Sequence, residues 1–196
     1  MYGLFFDTET SGLPEWKIPS DDPIQPHIVQ IGAELVDLDS QDVLDAVNVV
    51  IKPDGWTISE EMTAIHGISH EYALQHGIPE KEAVSSLLGL RKQAGLRVAH
   101  NRTFDDRIVR IALKRFFDPL APETDMLKPS DLWKEGDGFC TCYGSRKAVN
   151  IGKLPTLEEA YLALTGEVLE GAHNAVNDVR ACRVIYFALK KLGYVS

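Results

Sequence analysis

The sequence predicts an α/β protein with a mixed sheet, antiparallel on one side and parallel on the other, flanked by helices. Three observations predict it. Three β-patterned segments with short connections open the chain, within residues 2–52. After them, strand alternates with helix. Strands first and strand–helix alternation later give a sheet that packed helices cover. The chain of 196 residues is long enough for one core, and we expect a single domain over 1–196.

Residues 2–6, "YGLFF", read as a short buried strand that stops at Asp7 and Glu9. Glu15–Pro26 carries three of the ten prolines and reads as a loop. "HIVQIGAELVD", 27–37, is rich in β-branched residues and partly alternates, so it reads as a strand. Residues 45–52, "DAVNVVIK", form another, ended by Pro53-Asp54-Gly55. Ser59 ahead of Glu60 and Glu61 marks a helix start. Residues 79–91 begin with Pro and place Val84, Leu87, Leu88 and Arg91 at helical spacing. "LRVAHN", 96–101, reads as a strand running out into polar residues. A helix follows over 104–116, with Phe104, Ile108, Ile111, Ala112 and Arg115 along one stripe. Residues 118–156 are weakly patterned. A short helix over 157–164 and a longer one over 175–192, closed by Gly193, end the chain.

Composition is ordinary for a globular protein, 44% hydrophobic and 25% charged. No long uncharged apolar run predicts a membrane span. "MYGLFF" lacks the marks of a signal peptide, so a cytoplasmic location with no membrane partner is expected. Three sparse cysteines predict free thiols rather than a disulfide framework. The net charge of −9 argues against duplex binding through a large basic surface. It leaves open a site in which cations among carboxylates accept a phosphate.

Four acids and a histidine carry the chemistry. Two residues apart on a strand, Asp7 and Glu9 share a face. Like charges so close repel, and a hard divalent cation with oxygen ligands compensates them. The same D-x-E also fits a Glu9 that lies past the strand, in water. In "VAHNRTFDDRIVR", 98–110, strand gives way to helix near Phe104. At about 100° per residue, Asp105 borders the core face and Asp106 looks away to solvent. Asn101, one turn ahead, either orients Asp105 or caps the helix.

In "GAHNAVNDVRACRVIYFAL", 171–189, Asp178 sits at the edge of an apolar stripe, where an acid needs a partner. His173, five residues earlier, is off that face and reaches the site from the preceding loop or first turn. A helix N-terminus favours a neutral imidazole that can take a proton. Read alone, His173 also fits a surface histidine near a cap.

In this order, D-x-E, F-D and H-x-A-x-x-D resemble the DEDDh exonucleases, the DnaQ-like family of 3′–5′ exonucleases with the RNase H-like fold. The resemblance covers nearly the whole chain. Asp7-Thr8-Glu9-Thr10-x-Gly12 is similar to the first motif, and "IVQIGAELVD" to the second strand. "IHGIS", 65–69, is similar to the short His-Gly segment, "HNRTFD" to the second motif and "HNAVND" to the third. A tyrosine-type subgroup has Tyr four residues before the last Asp; Asn174 stands there, so the histidine type fits.

The resemblance implies an RNase H-like five-stranded mixed sheet. It implies a metal-dependent 3′–5′ exonuclease that releases nucleoside 5′-monophosphates. Asp7, Glu9, Asp105, His173 and Asp178 would be its catalytic residues. Two ions, Mg²⁺ or Mn²⁺, are implied. Asp7, Glu9 and Asp178 would hold one, and Asp7 would bridge to a second that Asp105 binds directly or through water. His173 would be the general base. Thr10, Gly12 and Leu13 would border the terminal nucleotide, His66 its sugar or base, and Asn101 the bound strand or Asp105. For Leu13 and His66, local packing is the other reading.

The implied partner is nucleic acid with a free 3′ end, single-stranded by preference and DNA ahead of RNA. The alternatives are an RNA-trimming exoribonuclease of the same family, a phosphodiesterase of small nucleotides, and a non-catalytic module that grips nucleic-acid ends. A homodimer and a polymerase partner stay open. The sequence ends at Ser196, right after the last helix, from which we expect a free-standing exonuclease rather than a proofreading subunit. The stretch 128–153 holds Lys128, Lys134, Arg146, Lys147 and Lys153 with Trp133, Phe139 and Tyr143 interleaved. That pattern suggests a strand-binding flap ahead of a core-covering loop.

Overall fold

The computed structural model describes residues 1–121 and 127–195. Residues 122–126, part of the weakly patterned stretch, lie outside the described residues.

Among the described residues, the chain runs β1 (Tyr2–Thr10), β2 (Ile28–Asp37), β3 (Val43–Val50), α1 (Glu60–His66), α2 (His70–His76) and α3 (Glu80–Arg91). It continues with β4 (Leu96–Ala99), α4 (Arg102–Phe116), α5 (Pro129–Leu132), β5 (Asp137–Cys140), α6 (Thr141–Val149), α7 (Leu157–Thr165) and α8 (Ala175–Lys191). One five-stranded sheet has the order β3-β2-β1-β4-β5. β1 pairs antiparallel with β2, and β2 with β3. β1 pairs parallel with β4, and β4 with β5. The expected meander and the expected parallel side meet at β1.

β1 is central because three consecutive side chains, Leu4, Phe5 and Phe6, are fully buried. Successive strand residues point to opposite faces. Leu4 and Phe6 pack with Leu87 of α3 and Ile108 of α4, while Phe5 packs with Val179, Cys182 and Tyr186 of α8. Burying each such side chain contributes about 1.5–3 kcal/mol, which holds the strand between two helical layers. The alternation then dictates the rest. Residues 7 and 9 face α8, and residue 8 faces α4.

Several boundaries differ from the sequence reading. β1 continues through Asp7, Glu9 and Thr10, because its ladder with β2 extends to Thr10↔Ile28 with a register shift after Glu9. Backbone pairing, not side-chain apolarity, carries the strand there. Glu9 therefore belongs to the strand. β3 starts two residues earlier than the pattern suggested. β4 ends at Ala99, and Asn101 takes a left-handed backbone (φ 60°) that turns the chain into α4.

The stretch 128–153 is built into the fold. β5 extends the sheet, and Trp133 is 1% exposed with its ring edge against Phe6. Phe139 packs edge-on against Tyr186. Two of the three aromatics thus serve the core, which corrects the flap reading; Tyr143 alone is exposed. The pattern missed β5 because four residues, Asp-Gly-Phe-Cys, are too few to show a period. All three cysteines are free. No helix among the described residues is long and apolar enough to cross a membrane.

Candidate active site

Asp7 and Glu9 project from the carboxyl half of β1 toward α8, and Asp178 meets them from the first turn of α8. One ligand atom from each of the three lies within 4.8 Å of the others. The close approach depends on Gly32, which stands beside Asp7 on β2. A Cβ on Gly32 would lie 2.4 Å from the Ala175 carbonyl oxygen, so only glycine lets α8 start so near the sheet. Gln30 pins the same helix end. Its Oε1 accepts from the Ala175 amide at 3.2 Å, and its Nε2 donates to Asn48 Oδ1 at 3.1 Å. Asn174 caps α8 by accepting from the Val176 amide.

Asp178 accepts the His173 amide on Oδ2 at 3.1 Å, while its buried Oδ1 has no hydrogen-bond partner. That bond closes the preceding loop, in which His173 takes a left-handed backbone (φ 63°). The His173 side chain stands at the rim, 59% exposed, with Nε2 3.8 Å from Oε1 of Glu158 on α7. Thr156 and Glu159 form a reciprocal cap that fixes the start of α7.

Asp105 arrives from the other side of the sheet. It is 2% exposed, and its Oδ1 accepts both the Thr8 amide at 3.0 Å and the Thr8 hydroxyl at 2.8 Å. It stands outside the group of three carboxylates. Thr8, which the sequence reading did not single out, thus holds the position given to Asn101. Asn101 is exposed and makes no side-chain cap bond, since its left-handed backbone turns the side chain off both tasks. Asp106 also departs from expectation. Rather than facing solvent, it pairs with Arg97 and Arg102 and accepts from Trp133 Nε1.

The four acids crowd negative charge into a buried site. Burial, then Asp105, Asp178 and Glu9, push the Asp7 carboxyl well above its ordinary range. Burial, then Asp178, lifts Glu9 to about 7, with His173 opposing. Burial lifts Asp178 to about 6 against the pull of the His173 amide. Burial lifts Asp105 to about 8 despite the two Thr8 bonds. Buried like charges and an orphaned carboxylate oxygen fit oxygen-liganded divalent cations.

The other anticipated residues divide. Thr10 is buried and its hydroxyl donates to the Gly12 carbonyl at 2.8 Å. Gly12 has open space where a Cβ would stand, so nothing sterically demands glycine there. Leu13 is 80% exposed beyond the strand end. His66 is 6% exposed; its Nδ1 accepts from the Ile68 amide and its buried Nε2 has no partner. Burial pushes the imidazole pKa down, keeping it neutral. His66 lines a groove of about 490 Å³ with Gln30, Asn48, Tyr72 and Asn174, which brings it to the α8 end of the site.

A family model described as Exonuclease (RNase_T) matches residues 4–186. The chain belongs to this exonuclease family. Solved structures share the exonuclease fold. E. coli exonuclease I with a dT13 oligonucleotide matches at TM-score 0.71 and 22% identity, over 96% of this chain and 41% of that one. The zinc-bound E. coli ExoI–ssDNA complex matches at 0.72 and 20%, over 97% and 40%. A moderately thermophilic exonuclease I from Methylocaldum szegediense matches at 0.67 and 21%, over 97% and 40%. The chain thus spans about two fifths of the length of these structures. No curated protein matches.

Proposed function

We propose that the chain works as one exonuclease domain that removes nucleoside 5′-monophosphates from the 3′ end of single-stranded DNA. The observation that carries this reading is the convergence of Asp7, Glu9 and Asp178 within 4.8 Å. Family membership and the likeness to exonuclease I support it.

Asp7, Glu9 and Asp178 would hold one Mg²⁺ or Mn²⁺, and Asp7 with Asp105 a second. Ions bound there would lower the pKa of water and offset negative charge developing on the phosphate. Asp178 keeps the His173 loop closed through its amide. His173 would accept the proton of the attacking water on Nε2, which Glu158 Oε1 faces at 3.8 Å. Thr8 keeps Asp105 turned toward β1. Thr10, Gly12 and Leu13 would border the terminal nucleotide, with exposed Leu13 offering an apolar surface to a base. His66, which lines the neighbouring groove, would lie beside its sugar or base. Asn101, exposed at the head of α4, would contact the strand.

The test is digestion of matched 3′-labelled DNA and RNA oligomers, single- and double-stranded, with Mg²⁺ or Mn²⁺. Mononucleotide release from single-stranded DNA, stopped by EDTA, is the expected result. Faster release from RNA would move the assignment to an exoribonuclease. Binding without release would replace the enzyme by an end-binding module.

A further inference from the structure

Positive charge collects away from the carboxylates, on the outer flank of α4. A groove of about 440 Å³ is lined by Arg97, Arg102, Arg107, Arg110, Lys134 and Asp106, among others. Among the described residues, Asp106 is the one carboxylate lining it, against five cations, in a chain of net charge −9. Asp106 is already engaged by Arg97, Arg102 and the Trp133 indole. Among the described residues, Arg107, Arg110 and Lys134 have no carboxylate partner.

The cluster is short of acceptors. Arg97, 3% exposed, donates Nη1 to Asp106 and Nη2 to the Lys134 carbonyl, and its Nε has no partner. Among the described residues, the Nε groups of Arg102 and Arg107 are also unpartnered. A Cβ on Gly138 would lie 2.6 Å from the Arg102 guanidinium, so glycine lets that group lie flat against β5.

An aromatic side chain completes the groove. Trp16 is 55% exposed, with the Arg107 guanidinium 5.8 Å from its ring centroid. Arg107 Nη2 also donates to the Ile18 carbonyl at 2.6 Å, which fastens the loop carrying Trp16. Thr103 and Asp106 line the groove, and they flank Asp105 in the sequence of α4, so the groove starts at the same end of α4 that carries Asp105.

We propose that this groove binds the phosphate backbone of a single strand of nucleic acid, upstream of the nucleotide held at the carboxylates, with Trp16 stacking on a base. The proposal rests on the exonuclease reading above for the placement of the 3′ end. Guanidinium groups match phosphate geometry bidentately. Basic grooves interleaved with aromatics are the general means of gripping single strands without sequence preference. An acidic peptide could meet the same cations, but it would leave the exposed indole without a stacking partner.

The test is equilibrium binding in EDTA, followed by fluorescence anisotropy, with a long labelled oligo-dT, a labelled oligo-dT trimer and a labelled Asp/Glu-rich peptide. Reversing two groove charges, Arg110→Glu with Lys134→Glu, should weaken the long oligomer about tenfold and flatten its log–log salt slope by about 1.4, at about 0.7 per phosphate contact. The trimer, too short to reach the groove, should bind as before. Lys134→Glu alone alters an exposed side chain and should give a smaller loss in the same direction, which separates charge from misfolding. Trp16→Ala should weaken the long oligomer with the salt slope unchanged. Unchanged affinity and slope in the double variant would overturn the proposal. So would loss of peptide binding with strand binding intact. Because no turnover occurs in EDTA, a failure of the groove is distinguishable from a failure of the exonuclease assignment.

Discussion

Thr8 donates its amide and its hydroxyl to the same oxygen of Asp105, Oδ1, from the face of β1 opposite to Asp7 and Glu9. One strand therefore supplies two carboxylates to one face and the clamp for a third on the other. Both bonds oppose the burial that lifts the Asp105 pKa to about 8. Thr8→Val keeps the shape and the amide bond but removes the hydroxyl. Partners of this kind are worth about 10–100-fold in metal affinity or activity. The Mn²⁺ concentration for half-maximal cleavage should rise by that order, and an unchanged Mn²⁺ dependence would remove Thr8 from the site.

Burial and the neighbouring carboxylates Asp105, Asp178 and Glu9 all oppose a charge on Asp7. Asp7→Asn should abolish cleavage yet raise the melting temperature of the metal-free protein at neutral pH. Relief of about 1 kcal/mol corresponds to roughly 2–4 °C at this chain length. A variant that is both inactive and less stable than wild type would contradict the charge-repulsion account.

Stability should also depend on pH in a definite direction. Glu9 and Asp178 titrate at about 7 and about 6 in the folded chain, and Asp105 at about 8. Unfolded carboxyls titrate near 4. Between these limits the folded state binds more protons than the unfolded one, so stability falls as pH rises from about 4 toward 8. Mn²⁺ should restore it at the alkaline end, because ions bind the deprotonated carboxylates. Thermal melts at several pH values, with and without Mn²⁺, check both halves of the statement.

Gly32→Ala would drive a methyl group into the first carbonyl of α8, 2.4 Å away, where backbone cannot yield cheaply. A destabilisation of about 1–3 kcal/mol is expected, with weakened metal binding as Asp178 retreats. Gly12→Ala, with open space around its Cβ, is the control and should melt like wild type. Equal melting temperatures for the two variants would show that α8 can shift without loss.

His173→Ala should lower turnover about 10²–10⁴-fold, the range for a lost general base. Its amide, not its imidazole, is what contacts Asp178, so Mn²⁺ affinity should stay close to wild type. Calorimetric titration beside single-turnover kinetics separates the two. Lost affinity with unchanged turnover would exclude the base role.

Asp7, Glu9, Asp105, His173 and Asp178 stand out in the sequence because each lies in a local motif whose order along the chain is specific, and the structure brings Asp7, Glu9 and Asp178 within 4.8 Å. Helix and strand periods also placed α3, α4, α7 and α8 within two residues of their observed bounds. Asp106 was misread because helical angle alone does not reveal Arg97, which approaches from a strand nine residues earlier. Trp133 and Phe139 were misread because interleaved aromatics look alike whether a groove or a core takes them.

By itself, then, the sequence determined which residues are acids at strand and helix ends, and the alternation that sends Asp7 and Glu9 to one face. Those are properties of local backbone geometry. Only the tertiary structure decided that Asp105 stands across the strand on Thr8, that Gly32 admits α8 to Asp7, and that four arginines and a lysine share one groove. Each of these joins residues distant in sequence, and such contacts come from packing, which no local pattern encodes.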